Sequence, residues 1–363
     1  MSASRITFIY CVIAILANLQ YASAQGITTP NAPSPAAKVS QTIGISTVTV
    51  SYSRPGVKGR EIWGTLVPYG WNVQGFGNVK SAPWRAGANE NTVIEFSNDA
   101  TVEGKKIPAG SYGLFFVINK DNTGEVILSK DSRSWGSFFY EEGHDEMRAP
   151  IKIQEGSMTE RLSYDFVNVE KSSAQLILSW EKKQFPVSIS FDVDAIVMAN
   201  AREELKGPTG FGWQGFASAA NYSLLNKTNQ EEGSKWIDQA ISQHKSFGTM
   251  IVKAGFLEQQ GNNAEAEKVK KDAYTVATEA ELNAYGYQLL GDSKINNAVD
   301  ILKMTAERFP KSANAWDSLG EAYAIKGDSK NAVASFKKSL SMSPPDNIKA
   351  NSEKYLKQLG AMK

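Results

Sequence analysis

Ile43-Gly44-Ile45-Ser46-Thr47-Val48-Thr49-Val50-Ser51-Tyr52 is the stretch in which the chain first declares its architecture. Ile43, Ile45, Val48, Val50 and Tyr52 are interleaved with Gly44, Ser46, Thr49 and Ser51, the period of two that buries one face of a strand. Working outward, β-branched and aromatic runs recur at Thr92–Phe96, Gly110–Asn119, Glu125–Ser129, Leu162–Val169, Ala174–Trp180 and Pro186–Val193. Gly, Asn, Asp and Pro punctuate them. Asp121-Asn122-Thr123-Gly124 has the composition of a hairpin turn, and Glu103-Gly104-Lys105 suggests another. Roughly seven to nine short strands with no helix between them predict an antiparallel β-sandwich, jelly-roll-like, over residues 36–195. Ser53–Asn91 and Asp131–Pro150 fit no strand and read as long ordered loops, which is where function tends to sit.

After Asp194 the period becomes helical. A Gly/Pro-rich hinge is expected over residues 196–212, followed by a helical repeat domain over 213–360. Trp316, Leu319, Gly320, Tyr323, Ala332, Phe336 and Pro344 resemble the signature positions of a tetratricopeptide unit, with Ser339 standing where a small Ala is usual. Subtracting 34 gives Leu282, Tyr285, Gly286, Leu289, Ala298, Leu302 and Pro310, the same size pattern in weaker form. A further subtraction leaves only Gly255 and Ala264. Small residues let paired helices approach, and stacked pairs offer a concave surface for a protein or peptide partner.

The first 24 residues differ in kind. Arg5 precedes an apolar run, residues 6–19, that is too short to span a bilayer comfortably, and Ala22-Ser23-Ala24 follows. This is the pattern of a secretory signal peptide cleaved before Gln25, with residues 25–35 as a flexible leader. Cleavage would remove Arg5 and Cys11, the only cysteine, taking the net charge from +1 to 0. The expected location is outside the cytoplasm, periplasmic or secreted. Its folded part would then hold no disulfide, thiol nucleophile or thiolate metal site. No later stretch has the length and apolarity of a transmembrane segment.

With 39 basic and 38 acidic residues, the chain has no basic excess to grip a phosphate backbone, so nucleic acid is not the expected partner. His144 and His244 are the only histidines, too few for a His-rich metal site. No nucleophile elbow, phosphate-binding Gly-Lys-Ser/Thr loop or dinucleotide fingerprint is present, and no cofactor is implied.

Two loop stretches concentrate binding chemistry. Arg54-Pro55-Gly56-Val57-Lys58-Gly59-Arg60 and Pro83-Trp84-Arg85-Ala86-Gly87-Ala88-Asn89-Glu90 combine guanidinium forks with flat indole faces. Arg54, Arg60, Trp84, Arg85, Asn89 and Glu90 are expected to converge on one face, with Trp135, Asp145 and Arg148 nearby. The guest would be an anionic or hydroxyl-rich small molecule, a glycan or a peptide carboxylate. One alternative is a hydrolase in which Glu90, His144 or Asp145 works as acid or base. Another is structural, the arginines pinning long loops through Glu61, Glu90 and backbone carbonyls.

At these motifs, residues 34–193 resemble an exported bacterial domain of unknown function, numbered 2911. The likeness is carried in order by Tyr52-Ser53-Arg54-Pro55, Lys58-Gly59-Arg60, Leu66-Val67-Pro68-Tyr69-Gly70, Trp84-Arg85 with Gly87-Ala88-Asn89-Glu90, Pro108-Ala109-Gly110 with Tyr112, Trp135-Gly136, and Asp145 with Arg148. The resemblance implies export and C-terminal tetratricopeptide-like helices, and implies no activity. Residues 71–82 lengthen the gap before Trp84 relative to shorter members.

Overall fold

A computed structural model describes residues 33–363. The chain divides into two compact units, with the boundary between Ile196 and Val197. The expected signal peptide and most of the leader lie outside the described residues. The last three leader residues are fastened: the carbonyl of Pro33 accepts from Arg161, that of Ser34 from Asn89 and that of Pro35 from the Arg54 backbone. They are therefore part of the domain's edge and not a flexible tether.

The first unit is two antiparallel sheets. One runs β1 (Ala36–Ile43), β2 (Ser46–Ser53), β5 (Val93–Phe96), β8 (Gly110–Ile118), β9 (Thr123–Ser129) and β10 (Asp145–Lys152). The other runs β11 (Gln154–Val167), β12 (Ser173–Ser190), β6 (Ala100–Val102) and β7 (Lys105–Ile107). A two-stranded ribbon, β3 (Asn72–Val73) and β4 (Ser81–Ala82), stands apart. The alternation read in β2 buries Val48, Val50 and Tyr52. Aromatic contacts join the two sheets across the core: Phe116 meets Phe185 with ring centroids 5.3 Å apart, and Tyr52 meets Tyr164 edge-on at 4.7 Å. Both expected turns close hairpins, with Glu103 and Gly104 left-handed between β6 and β7, and Asn122 left-handed between β8 and β9.

Three expectations need correction. Ala174–Trp180 and Pro186–Val193 are not separate strands, because β12 runs unbroken through both and ends at Ser190. Its buried positions change from even (Leu176, Leu178, Trp180) to odd (Phe185, Val187, Ile189), and Glu181 at φ 52° marks the irregularity that re-phases the strand. Asp131–Pro150 is not all loop: Asp145–Lys152 is an edge strand burying Met147, Ala149 and Ile151. Pro150 hides that alternation, yet an edge position tolerates its missing N–H. Residues 196–212 are not an open hinge either. Helix α1 (Val193–Glu204) continues into them, and Pro208–Phe211 forms a 3-10 turn. Val193 packs against Gly44, a position at φ 61° where any Cβ would meet the valine methyls at 2.6 Å.

The second unit is a succession of antiparallel helices: α2 (Trp213–Asn226), α3 (Gln230–Gln243), α4 (Phe247–Gln259), α5 (Asn263–Val276), α6 (Glu279–Gly291), α7 (Ile295–Arg308), α8 (Ala313–Lys326), α9 (Ser329–Leu340) and α10 (Asp346–Gln358). Successive helices pair as α2/α3, α4/α5, α6/α7 and α8/α9, with α10 closing the stack. The signature glycines work as their spacing implies. A Cβ on Gly320 would meet the Phe336 ring at 2.7 Å, and one on Gly286 would meet Leu302 at 2.6 Å. Gly255, which with Ala264 is what remains of the pattern one unit further back, faces instead Leu224 of the preceding pair, which a Cβ would meet at 2.6 Å. Capping boxes at Ser246/Thr249 and Thr278/Glu281 set two of the helix starts.

Candidate functional site

The two Arg-rich stretches are tied to the sheets by main-chain hydrogen bonds. Val57 and Leu162 donate to the carbonyls of Glu160 and Pro55, fixing the first stretch along β11. It then turns back at Lys58 and Gly59, both left-handed, and Arg60 closes the turn onto Val57. In the second stretch, Trp84 and Phe116 exchange both backbone hydrogen bonds at 2.9 Å, which sets the indole on the end of β8. The chain then reverses through Ala86 and Asn89, both at positive φ. Thr92 Oγ1 and the Tyr164 hydroxyl hold that reversal by donating to the Ala86 carbonyl. A Cβ on Gly87 would strike Thr92 Oγ1 at 2.6 Å, so the turn requires glycine there.

Between them opens a cleft of about 590 Å³, within the range of small-molecule sites. Lys58, Arg60 and Arg85 line it, and no Asp or Glu does among the described residues. Trp84 and Trp180 contribute aromatic wall, their rings stacked at 5.9 Å, with Trp63 edge-on to both. Leu66, Val67 and Ala82 add apolar surface, and Asn72 and Gln74 of the β3–β4 ribbon add amides.

The cations are held by neutral acceptors. Arg60 donates from Nε to the Val57 carbonyl at 3.1 Å and from Nη2 to that of Gly56 at 2.5 Å. Arg85 donates from Nη1 to the Asn89 carbonyl at 2.5 Å, and its guanidinium lies 4.9 Å from the Phe138 ring centroid. Among the described residues neither arginine, nor the Lys58 ammonium, has a carboxylate within ion-pair distance. Burial lowers the Arg85 pKa, because the charged form loses water that no carboxylate replaces. Two acids stand at the border: Glu160 accepts from the Lys58 backbone N–H beside Gly56, and Glu181 from the Trp63 indole. The indole N–H of Trp180, itself buried, has no acceptor. The cleft is thus rich in donors and positive charge, and poor in the acids that glycoside hydrolysis needs.

Of the nine residues singled out by sequence, Arg60, Trp84, Arg85 and Asn89 share this cleft. Asn89 also buttresses it, donating to the Ser34 carbonyl and Ser53 Oγ. The other five do not join them. Arg54 turns away to the Leu162 carbonyl, pinning β2 to β11. Glu90 is exposed and pairs with no arginine, and Glu61 likewise. Trp135 is also exposed. Asp145 and Arg148 form a separate cluster. Asp145 Oδ2 accepts from Tyr140 at 2.6 Å and from Arg148 Nε at 2.5 Å, while Arg148 reaches Glu142 at 2.8 Å and lies over the Trp71 ring at 4.8 Å. Burial raises the Asp145 pKa against those hydrogen bonds. This cluster fastens the 71–82 loop to residues 136–148 through Asp145 Oδ2, while Asp145 Oδ1 is buried without a partner. His144 faces Asp131 at 2.7 Å, outside the cleft.

Sequence reasoning did not single out Lys58, Trp180 or Gly136. Lys58 was visible within the Lys58-Gly59-Arg60 turn. Trp180 is brought in by β12, 96 positions from Trp84, and no local signal marks it. Gly136, at φ 60°, leaves room for the Arg85 guanidinium, which a Cβ would meet at 2.4 Å.

In the helical unit, α2, α4, α5 and α6 border a hollow of about 300 Å³ with Leu224, Ile251, Tyr285 and Leu289 among its walls and Glu258, Lys270 and Asp292 at its polar edge.

Residues 34–189 match a family of proteins of unknown function, DUF2911, and residues 313–346, which hold α8 and α9, match a tetratricopeptide repeat. The chain therefore carries a DUF2911 domain followed by tetratricopeptide-like helices, and such repeats are associated with protein contacts. No curated protein matches it. Among solved structures it is similar to YrrB, described as a tetratricopeptide repeat protein with an unusual peptide-binding site, at 15% identity over 44% of this chain and 84% of that one, with a TM-score of 0.27. It is also similar to the Cut9–Hcn1 assembly of the APC/C, at 15% identity over 46% of this chain and 34% of that one, with a TM-score of 0.27. MamA of Desulfovibrio magneticus RS-1 is similar at 16% identity over 43% of this chain and 96% of that one, with a TM-score of 0.24.

Proposed function

We propose that the protein is an exported binding protein whose β-domain holds a small anionic ligand in the Arg60/Trp84/Arg85 cleft, while its helical repeats engage a protein or peptide. One observation carries the cleft reading: Lys58, Arg60 and Arg85 line one cavity, and none of the three has an acidic partner among the described residues. Lys58 and Arg60 are exposed, but Arg85 is half-buried, and a cation partly kept from water without a counter-charge costs stability, so a ligand that supplies the missing charge would be favoured there. The aromatic and aliphatic walls suit an apolar or sugar-ring body attached to that charge. Export rests on Arg5, the apolar run and Ala22-Ser23-Ala24. The repeat surface takes its partner class from the tetratricopeptide match and from the apolar hollow along α2, α4 and α6.

Titration calorimetry with glycerol phosphate, benzoate and galacturonate tests the cleft. Binding of at least one of these anions is expected, with an uncharged analogue ignored. Arg85→Met removes charge-assisted hydrogen bonds and should weaken binding about 10- to 100-fold. No heat with any anion, or unchanged affinity in the variant, would contradict the reading. The hydrolase alternative has lost its geometric basis at this cleft, since the acids it invoked lie elsewhere.

A further inference from the structure

Beside the cleft stands an apolar tip that the anion-binding reading does not use. Phe76 at the end of the β3–β4 ribbon is 64% exposed and Phe139 is 46% exposed. Phe76 meets Phe138 at 5.5 Å and Phe139 at 6.2 Å, and the ribbon that carries it also exposes Val73 and Val79. The tip is built and not frayed. Asn78 donates to the carbonyls of Phe138 and Tyr140, and Gly77 approaches Phe138 so closely that a Cβ there would overlap its carbonyl. The tip is also continuous with the cleft. Phe138 underlies the Arg85 guanidinium, while Gln74 and Ser137, each adjacent or nearly adjacent to a tip aromatic, line the cavity.

We propose that this surface docks on an anionic bilayer, with Phe76 and Phe139 in the interfacial region and a lipid phosphate seated in the cleft. This rests on the cleft being an anion site. Charge complementarity selects the occupant. The charged groups bordering the tip are engaged with one another, two cations against three acids, as Lys80 pairs with Glu141 and Arg148 with Glu142 and Asp145. The positive charge without an ion-pair partner begins at Arg85, over Phe138, and continues along the cleft with Arg60 and Lys58, and it attracts acidic headgroups. Exposed phenylalanine and valine side chains need no shaped pocket to gain from a lipid interface, whereas a protein partner would have to supply one.

The test uses the chain from Gln25 onward, which contains every described residue and omits the apolar run. Co-sedimentation is measured with vesicles of phosphatidylcholine alone and of phosphatidylcholine mixed with phosphatidylglycerol, alongside calorimetry with soluble glycerol phosphate. The wild type is expected to sediment with the acidic vesicles only. Phe76→Ser combined with Phe139→Ser should reduce vesicle affinity about tenfold or more while keeping glycerol phosphate binding, which also shows that the variant folds. Arg85→Met should lose both. Glycerol phosphate binding without vesicle binding in the wild type would overturn the bilayer inference and leave the cleft reading intact, pointing to a protein at the tip. Vesicle binding unaffected by the double substitution, or unaffected by Arg85→Met, would overturn it too. Absence of both kinds of binding would remove the cleft reading along with it.

Discussion

Arg85 is the residue on which the site turns, and its setting depends on an absence at Gly136. A methyl group there would occupy the space of the guanidinium, on a backbone at φ 60°. Gly136→Ala should therefore push Arg85 out of position and cost about 1–3 kcal/mol of stability, read by thermal melting, with a matching loss of anion affinity. A variant with wild-type melting and binding would show that the contact is unimportant. His144 offers a separate check on the loops. Its hydrogen bond to Asp131, reinforced by the carboxylate's charge, raises its pKa above the ordinary 6.5. A folded pKa raised in this way adds stability below the unfolded value, and that contribution is lost as pH rises through the folded one. Proton NMR of the His144 ring should give a midpoint above 6.5, falling back in Asp131→Asn. A wild-type midpoint at or below 6.5 would contradict the pairing.

At the scale of elements, legibility followed the local signal. β2, β8 and β9 were readable because β-branched and aromatic runs end at turn residues, and α8 and α9 because bulky and glycine positions recur at fixed spacing. β10 was missed because Pro150 interrupts its alternation, and β12 was split because its burial changes phase near Glu181. Ser339, the one departure in the clearest repeat, is buried in α9 and its hydroxyl has no partner. Ser339→Ala should thus be neutral or stabilising by up to about 1 kcal/mol. Ser352 on α10 makes the contrast, since its hydroxyl bonds the nearly buried Asp317 carboxylate. Ser352→Ala should cost about 1–3 kcal/mol. Denaturant melts of the two variants check the pair, and equal effects would refute the assignment of one hydroxyl as orphaned and the other as bonded.

For the whole molecule, a strand-rich half and a helical half follow from the change of hydrophobic period near Asp194. The family resemblance on ordered motifs agrees with the match over residues 34–189. The site was legible only in part. Residue types marked Arg60, Trp84, Arg85 and Asn89 as ligand-binding candidates, but the same chemistry at Arg54 and Arg148 serves to fasten strands and loops. What separates the two uses is whether each guanidinium lines the open cleft or is turned from it toward a neighbouring strand or acid, and that depends on partners as distant in sequence as Leu162. The claim that matters most is that three cations with no acidic partner among the described residues make one anion site. Calorimetric titration of the chain from Gln25 with glycerol phosphate and with glycerol, in wild type and Arg85→Met, tests it most directly. The account predicts saturable binding of the phosphate, none of glycerol, and a loss of about 10- to 100-fold in the variant. Equal behaviour toward the charged and uncharged compounds, or an Arg85→Met protein that binds as the wild type does, would contradict it.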